Sequence, residues 1–383
     1  MGKVGICAVA QTIYQRSNVS ERFQGMALEV VESLLQQTGL GPDFSAGGID
    51  TAISVSDDVY DARTISDNAM TDVLGSHYGC EEKVAQDGAQ AIYYGVATIL
   101  SGQTDLVLVV GHCKESQGQS RNMVTHLAFD PFYTRPVGLD FCSAAALQAQ
   151  AYMARSGVTE RHLAKIVARA RRQAAKNPCT PEVPAVTEEA VLRSALIADP
   201  LRELHCHPVS DGAVGVILAS EERARAICRA PVWVTGVGNS LDSFFLGDRD
   251  RATSAALQQA AARAYARAGI DDPRHAFDVV EVSDPFAHQL PMWVEGLGIC
   301  RAERGGRWID ADGPDTLRVN LSGGTLAGTP LILGGLTRVA EAALQLMDRA
   351  GERQVDGARR ALAHGVMGPA GQFHSVVTLE RDR

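Results

Sequence analysis

The sequence predicts an α/β protein in which one unit is used twice. Strand-length apolar runs alternate with segments whose apolar residues recur at helical spacing. The later half also echoes the earlier one. "TGLGPDFSAGGIDTAISVSDD" (38–58) and "AGIDDPRHAFDVVEVSDPF" (268–286) each leave a helix at Gly, reach an Asp and run an apolar strand into Ser-Asp. Each is then followed by a helix closing on Leu-Gly, at Leu74-Gly75 and Leu297-Gly298, and by a short strand, a Gly-containing turn, a helix and a strand.

The elements follow in order. "VGICAVA" (4–10) is a strand, and "FQGMALEVVESLLQQTG" (23–39) is a helix closed by Gly39. "DTAISVS" (50–56) is a strand, and "GAQAIYYGVATILSG" (88–102) is a helix ending at Gly102. "DLVLVVG" (105–111) is continuously apolar, as a strand covered on both faces must be. A helix-rich block runs from about 115 to 200, with main helices at 144–157 and 159–177 and a loop with three prolines at 178–187. "AVGVILAS" (213–220) returns to strand. The division expected is a half at 1–228, carrying the helical block as an inserted loop domain, and a half at 229–383. The paired turns are "AQDG" and "NLSGG". In a duplicated fold they meet near a pseudo-twofold axis, where converging helix N-termini favour an anionic or polarised ligand.

Composition narrows the function. The chain has 383 residues, 45% hydrophobic and 21% charged, enough for a substantial core. A net charge of −9 argues against a nucleic-acid groove or an anionic membrane surface as partner. A locally basic run, "ARARRQAAK" (168–176), reads first as a solvated helix face, with a phosphate clamp as the sharper alternative. No apolar run approaches the roughly 18 residues that span a bilayer. No signal peptide precedes the first strand, and Ile6 stands where a myristoylation signal needs Ser or Thr, so the expected location is cytoplasmic. The eight cysteines are scattered, without a C-x-x-C pair, as free thiols in a reducing compartment are. No G-x-S-x-G elbow, P-loop or complete G-x-G-x-x-G occurs.

Several stretches, in this order, resemble the thiolase superfamily, and most closely its sterol-carrier-protein type. They are "ILSGQTDLVLVVGHCKES" (99–116), "ADPLRELHCHPVSDGAVGVILASEERA" (198–224), "VVEVSDPFAHQLPMWVEGLGIC" (279–300), "VNLSGGTLAGTP" (319–330) and "ERQVDGARRALAH" (352–364). The resemblance implies a duplicated five-layered αβαβα fold. It also implies chemistry on acyl-CoA esters, in which a Cys at the N-terminus of a buried helix becomes an acyl thioester beside an activating His. A second Cys then acts as acid/base, and hydrogen-bond donors hold the thioester enolate.

Carried over residue by residue, those roles fall on side chains that cannot fill them. The nucleophile position is Ala85, in "KVAQDGAQAI". The Gly-His-Pro loop reads Gly328-Thr329-Pro330. The His-Asp-Cys-Phe or Asn-Glu-x-Phe stretch reads Ser283-Asp284-Pro285-Phe286, and the other place for the second Cys falls on about Gly365. The substitutes to weigh are Asp87, as general base or as the N-cap of helix 88–101, and His288 and His364, as cavity residues or structurally bonded histidines. Ser322-Gly323-Gly324 keep the shape of the family's pantetheine loop, for packing or for coenzyme A.

The remaining thiols and histidines read as structural. Cys113 has His112 and Lys114 beside it but lies past a strand end, and Cys142 and Cys80 offer less. His205-Cys206-His207 gives at most two ligands on one strand face, so no metal is expected. The implied role is a thiolase-fold subunit without acyl-Cys chemistry. It binds no cofactor tightly, though a coenzyme A thioester is a candidate ligand. Its partners in a dimer or higher hetero-oligomer are a catalytically complete thiolase-like subunit and a small zinc-ribbon/OB-fold protein. The alternatives are a thiolase-fold enzyme with other C–C bond chemistry on a CoA thioester, such as retro-aldol cleavage, and an active thiolase with a misassigned nucleophile.

Overall fold

The computed structural model describes residues 2–41, 48–58, 67–77, 79–118, 121–180 and 184–382. Parts of the first repeat stretch and of the proline loop, at 42–47 and 181–183, lie outside them. The first half runs β1 (Val4–Gln11), α1 (Phe23–Thr38), β2 (Thr51–Val55), α2 (Asp67–Leu74), β3 (Cys80–Val84), α3 (Gly88–Leu100) and β4 (Leu106–Lys114). Two long helices follow, α4 (Phe141–Ser156) and α5 (Glu160–Ala174), and then β5 (Asp211–Ser220). The remainder is β6 (Val232–Leu241), α6 (Ala255–Ala268), β7 (Val279–Val282), α7 (Gln289–Gly296), α8 (Gly334–Leu346), β8 (Arg360–Met367) and β9 (Phe373–Arg381).

Nine strands form one mixed sheet in the order β3-β2-β4-β5-β1-β6-β9-β8-β7. Its middle is the short antiparallel join of β1 to β6, where Gly5 faces Trp233. The order on one side of that join repeats on the other. β2 is parallel to β3 and β4, and β7 is parallel to β8 and forms a parallel bridge from Val280 to Val319. The Val319 bridge stands where β3 stands in the first half.

Helix packing completes the layers. α1 lies on β1, β4 and β5, burying Met26, Val30 and Leu34. α6 lies on β6 and β9. α3 and α8 pack against each other, and each touches strands of both sides of the sheet, so they form the central layer of an αβαβα stack. α8 is buried along almost its whole length although it carries Thr337, Arg338, Glu341 and Gln345. A helix that is apolar all round needs no partners there. One with buried charges must satisfy them internally, and those charges are part of the site.

Candidate functional site

The N-termini of α3 and α8 meet at one carboxylate. Asp87 is the N-cap of α3 and is fully buried; its Oδ1 accepts the Ala89 N–H at 2.9 Å. Its Oδ2 accepts the N–H of Gly335, from the first turn of α8, at 2.8 Å. The residue that precedes α8, Leu333, has no side chain that can cap it. The positive ends of two helix dipoles therefore converge on Asp87. Packing around it is tight enough to require glycine, since a Cβ on Gly335 or Gly365 would overlap Asp87 Oδ1. Burial pushes the carboxyl up to about 7, against the pull of the Ala89 and Gly335 N–H groups and of Arg338.

A second carboxylate holds the other turn. Asp284, also buried, accepts the Thr325 N–H at 2.6 Å, and its own N–H donates to Thr325 Oγ1 at 3.2 Å. Burial raises this carboxyl to about 7 as well. Beneath the turn, Arg338 pairs with Glu281 at 2.8 Å and donates to Ser322 Oγ and, at 3.1 Å, to Thr329 Oγ1. Ser322 donates its hydroxyl and its N–H to Glu281, at 2.6 and 3.1 Å. One turn further along α8, Glu341 accepts from Gln11, Asn177 and Arg353.

The positions named from sequence divide accordingly. Gly365 and Asp87 are in contact, and Ser283 reaches the same place through Gly334. Thr329 is buried and bonded to Arg338 and to the Gly324 carbonyl. Pro285 offers its carbonyl to the His207 N–H at 2.8 Å. Ala85 is exposed and lines an outer groove of about 630 Å³ with Gln86, Tyr94, Asn239 and Arg263. His288 bonds Gln148 of α4 through Nε2 at 3.0 Å, and burial takes it down to about 3. His364 points away from Asp87, as strand alternation requires once Gly365 faces it. It bonds His374 at 2.9 Å and stacks on that ring. Ser322, Gly323 and Gly324 are all buried, with Gly323 against Ala174 of α5.

Other sequence readings need amendment. The basic run on α5 is not a solvated face: Arg169 is buried in an ion pair with Asp315 at 2.6 Å, and Arg171 is buried near Arg16. The eight cysteines are free thiols, as read; Cys7 donates to the Gly5 carbonyl at 3.9 Å, Cys142 to Asn122 Oδ1 at 3.7 Å and Cys206 to the Arg202 carbonyl at 3.6 Å. Cys113 is buried, and neighbouring His112 stacks on Phe23 at 4.8 Å. Cys80 is exposed on β3, a sheet-edge strand. His205 and His207 are buried, with no group of three metal-binding side chains among the described residues. Among those residues, too, no helix is long and apolar enough to cross a membrane.

Sequence reasoning missed Glu281, Arg338, Glu341 and Arg353. Their signal was present: Glu281 interrupts the apolar strand "VVEV", and Arg338 and Glu341 sit three apart as the only charged residues of a largely apolar helix. A smaller cleft of about 180 Å³ lies between Thr125, Phe141, Leu331 and Met367, with Asp57 on its wall.

Comparison with known proteins places this geometry. Residues 238–381 match the family described as thiolase C-terminal domain-like. The chain is 31% identical over 356 residues to an acetyl-CoA acetyltransferase of Methanothermobacter thermautotrophicus, covering 88% of this chain and 91% of that one. It is 29% identical over 304 residues to sterol carrier protein 2 of Oryctolagus cuniculus, covering 73% of this chain and 54% of that one. Among solved structures, an Ltp2-ChsH2(DUF35) aldolase superposes with a TM-score of 0.84 at 21% identity, over 100% of this chain and 98% of that one.

Proposed function

Because the chain belongs to the thiolase superfamily, in its sterol-carrier-protein type, and yet seals its central helix junction with its own carboxylate, we propose that it is a thiolase-fold subunit without acyl-cysteine chemistry, working in a hetero-oligomer on coenzyme A thioesters. The observation that carries this reading is Asp87. An acyl-enzyme thioester needs a thiol at the N-terminus of the buried helix and donors left over for its oxygen. Here the nearest family position is an alanine, and the Ala89 and Gly335 N–H groups already serve Asp87. Thr329, in the place of the activating imidazole, is bonded into the Arg338 network.

The outer surface supports a partner. Among the described residues β3 ends the sheet with one edge unpaired, and in the groove beside it Tyr94 and Leu241 are exposed by 51% and 66%. An open edge flanked by apolar side chains is a face that a second chain covers. The occupant we favour is a catalytically complete thiolase-like chain, with a small zinc-ribbon/OB-fold protein as a further subunit.

A second reading rests on the structural neighbour named as an aldolase with a DUF35 chain. Aldol cleavage of a β-hydroxyacyl thioester needs a base and an enolate site but no acyl-cysteine. Asp57, on the wall of the small cleft, is the carboxylate we would assign as that base.

One experiment separates the readings. The purified chain, alone and co-expressed with candidate partners, is incubated with acyl-CoA and examined by intact-protein mass spectrometry, and β-hydroxyacyl-CoA cleavage is assayed in parallel. The expected outcome is no acyl adduct on this chain and co-purification through its tag of a partner that is acylated. Stoichiometric acylation of Cys80 or Cys113 overturns the proposal. Cleavage by the chain that is lost in Asp57→Asn replaces it with the aldolase reading.

A further inference from the structure

The basic run that ends α5 puts one cation where water cannot serve it. Arg171 is 3% exposed. Its Nε and Nη1 are buried with no hydrogen-bond partner. The other buried arginines are provided for. Arg338 pairs with Glu281, Arg353 with Glu341 and Arg169 with Asp315, and Arg249 donates to the Pro369 carbonyl at 2.9 Å. Among the described residues Arg171 has neither a carboxylate nor a carbonyl to donate to. A guanidinium does not shed its proton when buried, as a lysine or a histidine can. Its charge therefore stays, and so does the cost of leaving it unpaired.

The surroundings carry the same sign. Burial, and after it the Arg16 charge, bring Arg171 down to about 10, so it remains a cation at neutral pH. Backbone bonds fix the Arg16 segment against the end of α5. The Tyr14 N–H donates to the Cys179 carbonyl at 2.9 Å, in the turn that follows the helix, and Gln15 exchanges bonds of 3.1 and 2.7 Å with Asp211. Arg16 is exposed, and so are Arg172 and Lys176 of the basic run. Among the described residues no carboxylate forms an ion pair with any of the three. On the inner side Ala174, one helical turn after Arg171, lies against Gly323 of the Ser322-Gly323-Gly324 turn.

We propose that Arg171 anchors a binding site for a phosphate-type oxyanion. The planar fork of its N–H groups matches two oxygens of a tetrahedral anion, and such an anion supplies the acceptors that Nε and Nη1 lack. The neighbouring cations suit a ligand that carries more than one negative charge. The anion is either free phosphate or the phosphate of a larger ligand. The second source rests on the coenzyme A reading above, because the turn beside Ala174 is the one assigned there to the pantetheine arm.

The test uses the full chain in phosphate-free buffer. Inorganic phosphate, and separately coenzyme A, is titrated in at constant ionic strength, with melting temperature and calorimetric affinity as readouts. The wild type is expected to gain a few degrees, saturably. Arg171→Met keeps the bulk and removes the buried charge. It is expected to melt at or above the wild type without ligand and to lose the response. Arg171→Lys, which serves should the methionine not fold, is expected to bind about tenfold more weakly, since an ammonium has no fork. A wild type that responds to neither ligand overturns the site. So does a response that both variants keep in full. Competition with phosphate by coenzyme A, but not by dephospho-coenzyme A, which lacks the ribose phosphate, assigns the anion to the larger ligand. Competition by neither assigns it to free phosphate. A coenzyme A response that survives in both variants sinks this site and leaves the proposed function standing. A phosphate response lost in Arg171→Met, with no binding of coenzyme A, keeps the site and counts against that function.

Discussion

Helices α3 and α8 hold equivalent places on the two sides of the sheet, but they start differently. α3 is introduced by an aspartate that caps it. α8 is introduced by a leucine and takes its cap from the aspartate of α3. The duplicated frame thus keeps its strand order while its two turns have specialised. The first carries the acceptor for both helices. The second gives up side-chain volume, since Gly335 and Gly365 must remain bare against Asp87. The meeting point of the two helix N-termini is filled by the chain's own carboxylate.

The comparison is broken most severely from the α8 side. Gly335→Ala drives a Cβ into Asp87 Oδ1 and crowds Ala89. It should destabilise the chain by about 3 kcal/mol or more, as overpacking at a rigid site does, measured by denaturant unfolding. Asp87→Ala comes next, at about 2–3 kcal/mol, because two buried N–H donors lose their acceptor together. If α8 truly borrows its cap, the double variant Asp87→Ala/Gly335→Ala will cost less than the two singles added. Strict additivity would show the helices to be capped independently.

The smallest effect sharpens the electrostatics. The folded-state carboxyl of Asp87 sits at about 7, above the roughly 3.9 of an unfolded aspartate. The folded chain therefore keeps a proton that the unfolded chain has released. The stability this group contributes is complete below about pH 4 and is lost as pH rises toward 7. Asp284, raised in the same way, adds to that slope. In Asp87→Asn the fall in melting temperature between about pH 4 and pH 7 should be shallower than in the wild type. Equal slopes would mean that Asp87 stays ionised throughout.

Much of this was legible in the sequence for a simple reason: local signals report local structure. Asp before Gly-Ala-Gln and an apolar helix names an N-cap, and Asp87 is one. Glycines at helix ends mark left-handed caps, as at Gly39 and Gly269. The paired strand-to-Ser-Asp segments revealed the repeat because each copy lies within one continuous stretch. What stayed hidden joins distant residues. The second cap of Asp87 spans 248 positions, and the Glu281–Arg338 contact spans 57. His364 and His288 were candidates because a sequence does not say which way a ring turns. Strand alternation sends one to His374, and helix packing sends the other to Gln148. The placing of Cys7 in the outer core was invisible for a further reason, since a bulge shifts the period from which facing is inferred.

Glu341 has a consequence for how the molecule comes apart. Its carboxylate is held by Gln11 at the end of β1, by Asn177 beyond α5, and by Arg353 ahead of β8. If any one of those segments peels away, a charge deep in the centre loses part of its shell, and the exposed groups must find water that cannot easily reach them. Opening one side alone is therefore penalised on the other. The two copies share a fold plan, and they are expected to melt as a single unit, in one calorimetric transition.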